Sequence, residues 1–147
     1  MRRCALCMAT LVLAVGAWAA GSAPLQVADA WIRWLPGTVP AGGYLTLINQ
    51  GDTAVRLTGA SSDDYGSVSL HQSFKQGGVS SMRPVDEITI KPHGKLALGD
   101  EGYHLMLMEP KKTLAPGDRV VITLHFSDGR ALPAFFQLRS PDMLMSK

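Results

Sequence analysis

Large apolar residues recur at every second position in short runs of this chain, and that pattern restricts the fold more than any other feature. In residues 120–126 the alternating positions are Val120, Ile122, Leu124 and Phe126. Similar runs cover residues 44–48, 68–70 and 88–90, and a period of two is typical of a β-strand with one buried face. Turn-forming groups separate the runs: Pro36-Gly37, Gly77-Gly78, Pro116-Gly117-Asp118 and Asp128-Gly129. The pattern therefore predicts a single all-β domain, an antiparallel β-sandwich or barrel.

The first residues have a different pattern, that of a signal peptide. Arg2 and Arg3 precede an uncharged apolar run over residues 4–18, and Ala17 and Ala19 place small residues where a signal peptidase cleaves. An uncleaved anchor helix is the alternative, but the run is shorter than the roughly 20 residues that a membrane span needs. We therefore predict a signal peptide over residues 1–19 and a mature domain over residues 20–147. This domain has its core at about residues 25–138 and a short polar tail at residues 140–147, and it is exported without stable membrane insertion.

Loss of the signal peptide would change the charge and the thiol content. The full chain has 14 Lys and Arg against 12 Asp and Glu, and its only cysteines are Cys4 and Cys7. Without residues 1–19, 12 basic and 12 acidic residues remain, and no thiol. The Cys4–Cys7 spacing resembles that of a redox pair, but both cysteines lie in the predicted signal peptide and would be removed with it. Neither the balanced charge nor the absence of a dense basic stripe favours nucleic acid as a partner.

Four His and Met residues form the most informative set of candidate metal ligands: His71, Met82, His104 and Met106. His104 and Met106 are two apart in a strand-like run, so both side chains point to one face, about 6.6 Å apart along the backbone. His71 and Met82 flank Gly77-Gly78. A hairpin that turns at Gln76-Gly77 would place His71 opposite Met82, and a turn at Gly77-Gly78 would shift the pairing by one or two residues. Each pair is thus half of a potential site, and a sandwich can bring both halves together at one end.

The ligand types indicate the metal. Two imidazoles and two thioethers form a soft donor set of low charge, which suits Cu(I). Zinc prefers thiolate, imidazole or carboxylate ligands, and a blue-copper electron-transfer site requires a thiolate that the mature chain lacks. The set predicts a protein that holds copper and releases it by ligand exchange, rather than an enzyme.

The spacing His71–x10–Met82–x21–His104–x–Met106 resembles the signature of the PCuAC-like, or copper A chaperone, family of periplasmic copper chaperones. The resemblance extends over residues 25–138 and includes Ala30-Trp31-Ile32-Arg33, Gly43-Tyr44-Leu45, Met82-Arg83-Pro84-Val85, Gly102-Tyr103-His104-Leu105-Met106 and Leu124-His125-Phe126. It implies a cupredoxin-like fold, a periplasmic location and one Cu(I) bound by His71, Met82, His104 and Met106. It further implies delivery to the copper A-bearing subunit of cytochrome c oxidase, directly or with a Sco-type thiol protein. We expect the protein to be a monomer.

The sequence also allows three other functions. One is a periplasmic copper storage or resistance protein, another a metal-free β-sandwich binding module. A third is a hydrolase that uses His71 or His104 as base with Asp63 or Asp64, although no nucleophile-elbow or zinc-protease motif supports it. The remaining candidates are interpreted more simply: Met108 as packing beside the site, and His93 and His125 as surface or structural residues. Trp31, Trp34 and Tyr44 are interpreted as packing residues, with an aromatic shield over the copper as the alternative. Met143 and Met145 are interpreted as part of a frayed tail, with a role in copper transfer as the alternative.

Overall fold

The computed structural model describes residues 24–99 and 102–145. They form ten strands and a short helix: β1 Leu25–Arg33, β2 Ala41–Asn49, β3 Val55–Ser61, β4 Tyr65–Gln76, β5 Val79–Pro84, β6 Ile88–Ile90, β7 Lys95–Leu98, β8 Tyr103–Pro110, β9 Arg119–Phe126, β10 Ala131–Arg139 and α1 Pro141–Met145. The predicted signal peptide, residues 1–19, lies outside the described residues. In the described part, no helix has the length and apolar character needed to cross a membrane.

Strand pairing joins all ten strands in one sheet. The order is β5-β4-β8-β2-β1-β10-β9-β3-β6, and β7 pairs with β2 beside this path. Every pair is antiparallel except β1 and β10, which run parallel with Trp31 opposite Gln137. The all-β fold class predicted from the alternation is confirmed.

A single hydrophobic core indicates that this sheet folds into two packed layers. Buried side chains come from β3 and β6 at one end of the strand order, such as Leu57 and Ile90, and from β4 and β8 near the other end, such as Leu70 and Leu105. One cluster can contain both sets only if the sheet folds so that its two ends face each other across the apolar interior. The result is the sandwich arrangement expected of a cupredoxin-like domain.

The β4–β5 hairpin differs from the rest of the sheet. β5 is an edge strand with no buried residue, so it adds nothing to the core. Gly77 and Gly78 form the two-residue turn with φ of 59° and 79°, the left-handed conformation that glycine adopts without strain. Of the two registers left open by the sequence, the structure has the turn at Gly77-Gly78. His71 therefore pairs with Pro84, and Met82 pairs with Ser73.

The tail also gains structure. Residues 141–145 form α1, which packs against β10, although none of its residues is buried.

Candidate metal centre

The candidate site lies on the outer face of the sheet, where β4 and β8 are adjacent. In β8, Leu105 and Leu107 are buried in the core, so the alternate residues His104 and Met106 point away from it. Across the antiparallel pair, His71 lies opposite His104 and Ser69 lies opposite Met106. The period-two pattern thus places the imidazoles of both strands on one face.

Three of the four predicted ligands line one cavity of about 260 Å³. They are Met82, His104 and Met106, which come from β5 and β8. Other elements complete the wall with Arg33, Leu35, Pro40, Ala41, Gly42, Tyr44 and Ser73. An imidazole and two thioethers therefore face a common space that is open to solvent.

His71 lies beside this cavity without lining it. Its ring and that of His104 have centroids 5.9 Å apart and are tilted by 39°. Nε2 of His71 lies 3.1 Å from the Ser69 hydroxyl, whereas Nδ1 is buried and has no hydrogen-bond partner among the described residues. Burial lowers the pKa of His71, and the nearby imidazole of His104 lowers it further. The structure therefore favours a neutral His71 with one ring nitrogen left to bind something else.

The other three residues differ in their access to solvent. His104 is only 6% exposed, and its Nδ1 lies 3.5 Å from the Ser73 hydroxyl. Met82, on the edge strand, is 57% exposed, and Met106 is partly buried. The cavity thus has a buried imidazole at its base and an accessible thioether at its rim.

The described carboxylates form no metal cluster here. In residues 24–99 and 102–145, no cluster of three or more His, Cys, Asp or Glu side chains could hold a metal ion. Asp64, considered above as a partner for a catalytic histidine, forms an ion pair with Lys112 at 2.6 Å.

The sequence reasoning missed Arg33 as a cavity residue and favoured packing over an aromatic shield for Tyr44. The Tyr44 ring forms part of the wall and covers Gly42, where a side-chain carbon would come within 2.8 Å of Tyr44 Cζ. Arg33 stacks over the same ring at 5.4 Å from its centroid. The signal was present, because Tyr44 alternates with the core residues Leu45 and Leu47 and must therefore point to the outer face.

The remaining His and Met residues lie elsewhere. Met108 pairs with Ser67 on the same face as Met106 but does not line the cavity. His93 contacts Asp52 at 2.6 Å in an exposed turn, and His125 contacts Ser61 at 2.7 Å. Met143 and Met145 are exposed on α1.

Comparison with known proteins places this chain in a family. Residues 25–136 match the model of the family described as "Putative lipoprotein LpqE-like". A putative lipoprotein of Leifsonia xyli subsp. xyli is 31% identical over 110 residues, and an uncharacterized protein of Rickettsia prowazekii is 35% identical over 86 residues. These matches cover 74% and 58% of the chain, but only 66% and 48% of the relatives' own lengths.

Solved structures give the same result. The solution structure of Cu(I)-DR1885 from Deinococcus radiodurans is 31% identical with a TM-score of 0.62, and the match covers 85% of this chain and 83% of that one. The copper-bound PCuAC domain from PmoF2 has the same fold, with a TM-score of 0.67 at 23% identity over 82% of this chain and 97% of that domain. The chain therefore belongs to the LpqE-like family, the PCuAC-like family that its His and Met spacing resembled.

Proposed function

We propose that this protein is a metallochaperone that binds one Cu(I) through His71, Met82, His104 and Met106. The observation that carries the proposal is the single cavity lined by Met82, His104 and Met106. Copper-bound relatives with the same fold support it. Thioether and neutral imidazole donors favour Cu(I) over harder ions because they are soft and carry no charge.

His71 is suited to complete the donor set. If its Nε2–H donates to the Ser69 hydroxyl, the lone pair remains on Nδ1, the buried atom without a partner. Two imidazoles that share one metal at about 2 Å from each nitrogen have ring centroids roughly 5–6 Å apart. The observed 5.9 Å between His71 and His104 lies within that range.

The exposed thioether gives a route for release. Met82 is the most accessible of the four donors, so an incoming thiolate or imidazole can replace it first while the buried His104 still holds the ion. In our proposal the recipient is the copper A-bearing subunit of cytochrome c oxidase, reached directly or with a Sco-type thiol protein. The protein acts in the periplasm as a monomer and catalyses no reaction.

Anaerobic competition with a Cu(I) chelator tests the site. Alanine substitution at His71, Met82, His104 or Met106 should weaken Cu(I) binding by at least about tenfold each, since each removes a direct ligand. Met108→Ala is the matched control, because Met108 lies on the same face of β8 but outside the cavity. Unchanged affinity in all four variants would refute this ligand set.

A deletion strain tests the destination of the copper. Grown at low copper, it should contain less copper in its oxidase and show lower oxidase activity, and added copper should restore both. If oxidase is normal while the purified protein still binds Cu(I), copper storage or resistance becomes the better assignment.

A further inference from the structure

We infer that the outer face beside the copper cavity is the docking surface for an acidic protein, the recipient of the copper; this inference rests on the proposed function. The surface is an arginine–aromatic strip formed by Trp31 of β1, Arg139 and Phe135 of β10, and Arg119 and Val121 of β9. Strand register places these side chains side by side: Arg139 is next to Arg33, Gln137 lies between Trp31 and Arg119, and Phe135 lies opposite Val121.

The strip and the cavity share one face of the sheet. Phe136 and Leu138 are buried in the core, so Phe135 and Arg139, which alternate with them, point outward. Arg33 connects the two regions, since it lines the cavity and pairs with Arg139 across β1 and β10. A protein that covers the strip therefore also reaches the mouth of the cavity.

Charge is segregated onto this strip. Its arginines, Arg119 and Arg139, form no ion pair with any described residue. The described outward-facing positions of β9 and β10 contain no Asp or Glu. The nearest acidic residues in sequence are Asp29 in the β1 bulge, Asp142 in α1, and Asp118, whose carboxylate accepts a hydrogen bond from the backbone N–H of Ala115. A surface of this charge attracts an acidic partner and repels a basic one.

The residue types are also those of a protein interface. Phe135 is 71% exposed and lies beside the partly exposed Val121, so the strip has an apolar centre. The Arg139 guanidinium stacks over the Trp31 ring at 5.7 Å from its centroid, which fixes its orientation before a partner arrives. Aromatic residues and arginine are enriched at the energetic centres of interfaces, and prior ordering reduces the entropy lost on binding.

The dimensions match one partner. β8 and β9 are separated by four steps in the strand order, or roughly 19 Å at about 4.8 Å per step. A standard interface covers about 800 Å² on each side, which is roughly 30 Å across. One recipient can therefore contact the strip and place its own ligands at Met82 and the cavity at the same time.

The test measures the rate of Cu(I) transfer to the soluble copper A domain of the oxidase and to the soluble domain of the Sco-type protein, over a range of NaCl concentrations. Arg119→Gln/Arg139→Gln should slow transfer at least about threefold at low salt and weaken its salt dependence, with unchanged Cu(I) affinity in the chelator assay. The matched control, Arg56→Gln/Lys91→Gln, removes two charges at the β3–β6 end of the strand order and should transfer at the wild-type rate.

The outcomes separate the two proposals. Equal rates in the strip variant and wild type overturn the docking surface and leave the chaperone function intact. Failure of wild type to bind Cu(I) overturns the function itself, and binding without transfer to either domain overturns both oxidase delivery and docking. Flotation with phosphatidylglycerol vesicles adds a further outcome: if the strip variant loses vesicle binding but transfers copper normally, the strip contacts membrane rather than protein, and the inference is wrong.

Discussion

At the scale of single residues, two serine hydroxyls lie against the imidazoles of the candidate site and can orient them for metal binding. Ser69 contacts Nε2 of His71, and Ser73 lies at hydrogen-bonding distance from Nδ1 of His104. Partners of this kind fix the tautomer and ring orientation of a metal-binding histidine. Ser69→Ala should therefore weaken Cu(I) binding by about tenfold, measured by chelator competition. Ser67→Ala is the control, since Ser67 lies on the same face of β4 opposite Met108; equal affinities in the two variants would contradict the role of Ser69.

The pKa of His71 predicts a pH dependence of stability in the metal-free protein. Burial and the nearby His104 lower the pKa of His71, whereas in the unfolded chain it has the ordinary value of about 6.5. The unfolded state then binds more protons between these two values, so this contribution to stability is complete above about pH 6.5 and is lost as pH falls through the folded pKa. The free energy of unfolding should fall less steeply from pH 7 to pH 5 in His71→Gln than in wild type, as denaturant titrations would show. Equal slopes would contradict the prediction.

The pair His104 and Met106 could be selected from the sequence because side chains two residues apart in a strand lie on the same face. The hairpin around Gly77-Gly78 and the overall spacing added His71 and Met82. The placement of Met82 relative to His71 and the position of Arg33 could not be predicted in the same way. The turn at Gly77-Gly78 shifts the hairpin register by two residues, so Met82 pairs with Ser73 rather than with His71, and both registers fit the sequence. Arg33 reaches the cavity only through the pairing of β1 with β2, a long-range contact that leaves no local signal.

At the scale of secondary-structure elements, the β4–β5 hairpin is expected to contribute to copper binding but little to the stability of the fold. It carries Met82, yet β5 buries nothing. Gly78→Ala places a side chain at φ 79°, which costs about 1 kcal/mol and favours another turn geometry. Cu(I) affinity should fall several-fold because Met82 is displaced, while the free energy of unfolding falls by no more than about 1 kcal/mol because β5 contributes nothing to the core.

The β9–β10 hairpin provides the opposite case. Gly129 has φ 86° in a turn between two strands that supply much of the core. Gly129→Ala should lower the free energy of unfolding by about 1 kcal/mol and leave Cu(I) affinity unchanged. The two glycine variants thus form a matched pair, and identical effects on affinity would show that the β4–β5 turn does not position Met82.

Alternation was sufficient to predict the elements but not their order. Residues 120–126 fall within β9 and residues 88–90 form β6 because each buries every second side chain. The parallel pairing of β1 with β10 joins the first strand of the chain to the last, and no spacing in the sequence indicates this contact. Closure of the sandwich is therefore set by which apolar faces fit together, a property of the whole core rather than of any one strand.

At the scale of the whole molecule, one buried amide helps to hold the middle of the strand order against one of its ends. Asn49, at the end of β2, is fully buried, and its side-chain Nδ2 donates to the backbone carbonyl oxygens of Thr53 and Lys91 at 2.8 and 3.1 Å. Its side-chain oxygen accepts a hydrogen bond from the N–H of Gly51. Lys91 directly follows β6, the last strand in the order, so this side chain connects the middle of the sheet to its far end.

Asn49→Ala should consequently destabilise the whole domain without changing the copper site. It removes three partly buried hydrogen bonds to backbone groups. Since each buried group left unsatisfied costs about 1–3 kcal/mol and these groups are only partly buried, a loss of about 2 kcal/mol in the free energy of unfolding is expected from denaturant titration. Gln50→Ala, at the exposed neighbouring position, should change it by less than about 0.5 kcal/mol. Cu(I) affinity of the folded variant should equal that of wild type, because no residue of the cavity contacts Asn49 through the hydrogen bonds that it makes. Weaker Cu(I) binding in a folded Asn49→Ala protein would instead show that closure of the sandwich also shapes the metal centre.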